Sequence, residues 1–263
     1  MVTTPFPIQL PADRTVVVVG GCGGIGHAMV QEFAAQHLTV VVMDLPASLA
    51  ARSLPAPISS IAVDVRDEAS VESAFAQLAD THPGGIDYLV NVAGYTGDLR
   101  PVEHLDTTMF DDIHSGNLRG LMLCCRHALP LLRKDQGAGI VNVSTGIANI
   151  GAAGYASYAS AKAGVNALTR ILAAETAPQG IRVNAIAPGG VDTAFLRGGF
   201  GRGGREDGAP LRLSIEDYAK RVPLGRIGTA ADMVGPVLFL LSDAAAYVTG
   251  QVLHVNGGAL MRD

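Results

Sequence analysis

The sequence predicts an α/β fold, a doubly wound parallel sheet of about seven strands with helices on both faces. Two observations lead there. Short apolar, β-branched runs alternate with helix-patterned stretches along most of the chain, the order that builds parallel βαβ units. The first run stops at a glycine-rich turn, and that turn opens the first helix. The 263 residues suit one such domain, 1–263, better than two.

"TVVVV" (15–19) is apolar after its first residue and too short for a helix, so it reads as a buried strand. "LTVVVMD" (38–44), "ISSIAVDV" (58–65), "IDYLVNVAG" (86–94) and "GIVNVST" (139–145) come next, then "IRVNAIAPGG" (181–190) and a last strand in "GQVLHVNGG". Between them, 25–36 places Ile25, Ala28, Met29 and Phe33 on one helical face. Further helices are expected in "ASVESAFAQLAD", around 107–134, over 155–177 and in "AADMVGPVLFLLSD". "RGGFGRGGREDGAP" (197–210) is too long and glycine-rich for an ordinary connection. It predicts a substrate lid over about 194–220, carrying Arg197, Arg202, Arg205 and Arg212. Those arginines either keep the loop solvated or clamp an acidic substrate group.

Composition removes several function classes. Hydrophobic residues make up 48% and charged residues 16%, enough for a large core. A net charge of -5 argues against a nucleic-acid binder. No apolar run is long enough for a membrane span, and "MVTTPFPIQLPADR" lacks the pattern of a secretory leader. A cytoplasmic location is expected. Cys22, Cys124 and Cys125 form no disulfide framework or metal-ligand spacing. No metal site is expected, and zinc-dependent alcohol oxidation is disfavoured.

The turn "GGCGGIG" fits two dinucleotide fingerprints. Gly21, Gly23 and Gly26 match one register; Gly20, Gly24 and Gly26 match the other. In either, glycine lets backbone approach a pyrophosphate at a helix N-terminus. Asp44 ends the second strand, 20 residues after Gly24, where a carboxylate accepts from an adenosine ribose and repels a 2′-phosphate. Leu45 follows it, and no Arg or Lys sits in the glycine turn. NAD is therefore expected, with NADP less so.

"STGIANIGAAGYASYASAK" (144–162) holds two tyrosines. Only Tyr158 has a lysine at i+4, Lys162, on the same helical face. Such a charge is expected to lower the tyrosine pKa toward that of a working acid/base. Tyr155 has Ala159 instead and reads as a pocket or packing residue. Strand alternation sends Ser144 and Thr145 to opposite sides, so one of them faces Tyr158. Thr145 is the expected donor to the substrate oxygen; Ser144 is the alternative.

Taken together, Gly20-x-x-x-Gly24-Ile25-Gly26, Asp64–Val65, "NVAG" at Asn91–Gly94, Asn117, Tyr158-Ala-Ser-Ala-Lys162 and "PGGVDT" at Pro188–Thr193 resemble the short-chain dehydrogenase/reductase family. The resemblance covers about residues 13–260. It implies a Rossmann-like seven-stranded sheet and hydride transfer between a nicotinamide dinucleotide and a hydroxyl or carbonyl. It also implies Tyr158 as acid/base, Lys162 as its partner and Asn117 as a relay residue. Gly20, Cys22, Gly23, Gly24, Ile25 and Gly26 would line the pyrophosphate, and Asp44 and Leu45 the ribose. Asp64 and Val65 would meet the adenine, Asn91, Ala93 and Gly94 the ribose region, and Pro188, Gly189, Val191 and Thr193 the nicotinamide. Homotetramers are common in the family. Val19 and Val92 depart from its usual Thr and Asn. At the family serine's usual distance, 13 residues before Tyr158, stands Thr145.

The leading expectation is an NAD-dependent oxidoreductase of a secondary alcohol or ketone. A 3-hydroxyacyl-thioester dehydrogenase and a non-catalytic dinucleotide-binding regulator are the alternatives. The pocket is expected to include Thr96, Ile147, Ala148, Tyr155 and Gly189.

Overall fold

The computed structural model describes residues 8–97, 99–196 and 214–261. Seven strands form one parallel sheet: β1 (Thr15–Val19), β2 (Thr39–Asp44), β3 (Ser59–Ala62), β4 (Tyr88–Asn91), β5 (Gly139–Val143), β6 (Arg182–Pro188) and β7 (Val252–Val255). Their order is β3-β2-β1-β4-β5-β6-β7. Helices α1 (Gly24–Ala35), α2 (Pro46–Ala51), α3 (Glu68–Thr81), α4 (Thr107–His114), α5 (Gly120–Ala128), α6 (Ala156–Thr176), α7 (Ile215–Ala219) and α8 (Val234–Leu241) complete it.

The pleat of β1 shows how the layers form. Val17 and Val19 point into one apolar cluster with Phe75, Leu78, Leu123 and Val165, residues of α3, α5 and α6. Val16 and Val18 point into the other with Met29, Phe33, Val237 and Leu238, residues of α1 and α8. Alternation along one strand thus feeds two cores, and both faces need covering, as a parallel sheet requires. Cys124 and Cys125 are buried thiols in the first core.

Strand order reverses between β1 and β4, which leave the sheet centre for opposite edges. A crevice opens there beyond the carboxyl ends of the strands. The turns after Val19 and Asn91 face each other across it.

Four stretches differ from the sequence expectation. The helical stretch near 107–134 is not continuous: a π-helical turn, Ser115–Arg119, separates α4 from α5. The extra residue is accommodated because the Asn117 side chain donates from Nδ2 to the Ile113 carbonyl at 2.9 Å. The stretch before α8 begins as a 3₁₀ turn, Ala230–Met233, capped reciprocally by Thr229 and Asp232. Short helices α2 and α7 carry too few residues for a visible periodicity.

Candidate active site

The glycine turn shows which register the backbone needs. Gly20 has φ +85°, and a Cβ there would lie 2.5 Å from the Ala93 nitrogen. A Cβ on Gly26 would strike the Gly20 carbonyl, and one on Gly24 would lie 2.6 Å from Thr193 Cγ2. Gly23 has ordinary room, 3.5 Å to its nearest neighbour. Steric demand therefore falls on Gly20, Gly24 and Gly26, and also on Gly21, whose Cβ would lie 2.9 Å from Val42 Cγ1; only Gly23 is free of it.

A cavity of about 930 Å³ runs from this turn across the carboxyl edge of the sheet, at the upper end of the range for cofactor and ligand sites. Cys22, Gly23, Ile25, Asp44 and Leu45 line one end, with Asp64 and Val65 beside them. Ala93, Gly94, Tyr158, Lys162, Pro188, Gly189, Val191 and Thr193 line the other. Of the expected pocket residues, Thr96, Ile147 and Tyr155 also face it. Ala148 is not among the lining residues.

Asp44 is anchored by backbone. Its Oδ2 accepts from the Cys22 N–H at 2.9 Å and its Oδ1 from the Leu45 N–H at 2.8 Å. Arg52, which follows α2, donates from Nη2 to the Cys22 carbonyl at 3.0 Å and also lines the cavity. Burial pushes the Cys22 thiol up to about 11; Asp44 adds to this and Arg52 opposes it. The sequence shows no cation in the glycine turn, but the fold brings one beside it from 30 residues away.

Asn91 is a correction. Its carboxamide turns into the core, donating to Asn142 Oδ1 at 2.9 Å and to Cys125 Sγ at 3.4 Å, and it does not line the cavity. The cause is the β4 pleat, which sends Asn91 toward the α5 and α6 layer.

At the far end, α6 presents Tyr158 and Lys162 on one face, both buried. Lys162 donates from Nζ to the Val143 carbonyl at 2.8 Å, and Nζ stands 5.9 Å from the Tyr158 ring centroid. The two hydroxyls after β5 diverge. Ser144 donates to the Lys162 carbonyl at 3.3 Å, toward the α6 backbone. Thr145 lines the cavity with Tyr158 and accepts from the Ile147 N–H at 3.4 Å. Phe195 covers the tyrosine, its ring 6.1 Å from that of Tyr158.

The expected effect of lysine on tyrosine is not what dominates. Burial pushes Tyr158 up; Thr145 opposes this and Tyr155 adds to it. Burial pushes Lys162 down to about 8. Desolvation outweighs the attraction that the i+4 spacing suggests, because both groups lie out of water.

Asn117 is fully buried. Its Oδ1 accepts from the Tyr95 N–H at 3.2 Å and its Nδ2 donates to the Tyr95 carbonyl at 2.9 Å. The Tyr95 hydroxyl in turn donates to Asp112, 2.6 Å from Oδ2. Arg66 links Asp112, at 2.6 Å, to Asp64, at 2.9 Å. This chain runs from the Asp64 end of the cavity to the turn that holds Asn117. Burial and the Asp112 hydrogen bond push Tyr95 up, while the Arg66 hydrogen bond holds Asp64 below the usual carboxylate value.

Sequence reading missed Arg52, Tyr95 and Tyr218. Tyr218, on α7, accepts from the Gly190 N–H at 2.6 Å and lines the cavity. Residues 197–213, which include the four lid arginines, lie outside the described residues. Among the described residues no cluster of His, Cys, Asp or Glu could hold a metal ion, and no helix is long and apolar enough to cross a membrane.

A family model described as enoyl-(acyl carrier protein) reductase matches residues 20–259. The chain belongs to the short-chain dehydrogenase/reductase family. It is 35% identical to levodione reductase of Leifsonia aquatica, over 98% of each chain. It is also 35% identical to cis-4-hydroxycyclohexanecarboxylate dehydrogenase of Sinomonas cyclohexanicum, over 94% of this chain and 96% of that one. The crystal structure of a short-chain dehydrogenase/reductase from Brucella melitensis superposes with a TM-score of 0.84 at 31% identity, covering 97% of this chain and 100% of that one. This member of the family is therefore an oxidoreductase of CH–OH and C=O groups that uses a nicotinamide dinucleotide. Its cavity fits that cofactor: the glycine turn, packed closely because Gly20, Gly24 and Gly26 carry no Cβ, lines it at the N-terminus of α1.

Proposed function

We propose that this enzyme interconverts a compact, largely apolar ring ketone and its secondary alcohol, with NAD as the preferred cofactor. The observation that carries the reading is that Thr145, Tyr158 and Asp44 line one cavity, the first two beside Lys162 and the last beside the glycine turn. Ile147, Ile150, Phe195 and Leu196 supply the apolar wall near Tyr158. The hydroxycyclohexanecarboxylate relative supports a ring substrate.

A nicotinamide dinucleotide bound along the glycine turn supplies hydride exchange. Asp44 is placed to accept from the adenosine ribose, and the α1 N-terminus to receive the pyrophosphate. Thr145 donates to the substrate oxygen as charge develops there. Tyr158, which burial keeps protonated near neutrality, gives its proton to a carbonyl oxygen during reduction and takes it back during oxidation. Lys162 holds its amine beside this exchange, fixed by Val143. Asn117 fixes the 94–97 loop through the Tyr95 backbone.

The single domain, a lid over about 194–220, homotetrameric assembly and a cytoplasmic location belong to this reading. A thioester substrate is the second reading, favoured by 34% identity to the human 3-oxoacyl-[acyl-carrier-protein] reductase. Initial rates for 4-oxocyclohexanecarboxylate, neutral cyclohexanones and acetoacetyl thioesters, each with NADH and NADPH, test both. The ring ketones with NADH should give the highest kcat/KM. A higher value with NADPH would remove the NAD assignment, and a higher value for thioesters would favour the second reading. Tyr158→Phe should abolish turnover and Tyr155→Phe should retain most of it; equal loss from both would overturn the acid/base assignment.

A further inference from the structure

The backbone of Cys22 is held on its two sides by opposite charges. Its N–H donates to the Asp44 carboxylate at 2.9 Å, and its carbonyl accepts from the Arg52 guanidinium at 3.0 Å. Both charged side chains line the same end of the cavity. Each oxygen of Asp44 already takes one backbone N–H, so the carboxylate is fixed in place rather than free to swing away. A guanidinium carries five N–H donors, and the described residues take one of Arg52's.

An acidic residue at the end of β2 selects against a 2′-phosphate because the two anions repel. At this site the repulsion does not act alone. A dianionic group placed beside Asp44 also meets Arg52, whose planar fork suits phosphate oxygens.

We propose that Arg52 is a phosphate-recognising residue of the cofactor site, placed to offset Asp44 so that the pocket accepts the 2′-phosphorylated dinucleotide as well as the unphosphorylated one. This rests on the reading of the cavity as a nicotinamide dinucleotide site, and it adds a second cofactor to that reading. Asp44 sets the preference for NAD; Arg52 keeps NADP within reach.

Fluorescence titration of the full-length enzyme with NADH and NADPH tests this, with Arg52→Gln and Arg52→Lys beside wild type. Glutamine keeps a polar amide but carries no charge; lysine keeps the charge. Wild type should bind NADPH no more than about 30-fold more weakly than NADH, about 2 kcal/mol. Arg52→Gln should weaken NADPH at least about tenfold and NADH less than about threefold. Arg52→Lys should recover most of the loss. Competition by 2′,5′-ADP and 5′-AMP should show the same split without the nicotinamide half.

No detectable NADPH binding to wild type would overturn the proposal. So would a parallel loss of both cofactors in Arg52→Gln, which would make Arg52 a support of the glycine turn only. A change in neither would also overturn it. A wild type that prefers NADPH would sink the NAD assignment instead, and the Arg52→Gln split would still decide for or against Arg52.

Discussion

Lys162 Nζ donates to the main-chain oxygen of Val143 at 2.8 Å, tying the buried amine to the last residue of β5. The bond satisfies one of three ammonium donors and leaves the charge out of water. Burial lowers this lysine from its ordinary 10.5 to about 8. Between those values the unfolded chain binds more protons than the folded one. The destabilisation is thus full below about pH 8 and is relieved as pH rises toward 10.5.

Lys162→Met should therefore gain most in Tm, relative to wild type, at pH 7. That relative gain should shrink steadily toward pH 10, whatever the offset from losing the Val143 bond. Turnover should be lost at every pH. Calorimetry across pH 7–10 reads the difference; a constant offset would mean that the amine is not held at a cost in charge.

Thr145 and Ser144 make a paired prediction. Thr145 opposes the rise that burial causes at Tyr158, whereas Ser144 bonds the Lys162 carbonyl. Thr145→Ala should lower kcat by on the order of 10²-fold, the scale for a lost transition-state donor. It should also move the alkaline rise of the oxidation rate to higher pH, because Tyr158 loses a group that favours its ionised form. Thr145→Ser should restore both. Ser144→Ala should leave the pH profile in place, and a larger loss there than in Thr145→Ala would reverse the assignment.

Local sterics and periodicity were legible in the sequence; long-range placement was not. Gly20, Gly24 and Gly26 are spaced by the need of one turn to pass under β4 and into α1, so their pattern survives as a string. Tyr158 and Lys162 share a helical face in any tertiary context, and Ser144 and Thr145 must alternate. Family membership and the seven-stranded sheet followed from these together. Arg52 was not legible, since its partner Cys22 lies 30 residues back and α2 has no periodicity to orient it. Nor was the Asn91 side chain, whose direction depends on where Asn142 and Cys125 arrive. The charge effect of Lys162 was misjudged for a related reason: spacing shows proximity, but only burial shows what a charge costs there.

Tyr95 gives the last prediction, as a positioning residue. Its backbone grips both ends of the Asn117 carboxamide, and its hydroxyl is 2.6 Å from Asp112 Oδ2, on the helix leading into the Asn117 turn. The ring fills the space beside Gly116, where a Cβ would lie 2.5 Å from Tyr95 Cε1. Tyr95→Phe keeps that packing and the backbone grip and removes only the link to Asp112. The 94–97 loop then loses one of its two anchors, and small misplacements near a reacting centre are costly. The expected result is a fall in kcat of roughly tenfold, with the dissociation constant of NADH changed less than about twofold. Asp112→Asn retains a side-chain acceptor for the hydroxyl and should lose less than Asp112→Ala, which leaves it only the main-chain oxygen of residue 112 at 2.8 Å. Stopped-flow turnover with NADH fluorescence titration separates the two quantities. Wild-type kcat in Tyr95→Phe, or a kcat loss matched by an equal loss in NADH affinity, would show that the hydroxyl serves packing or binding rather than the placement of Asn117.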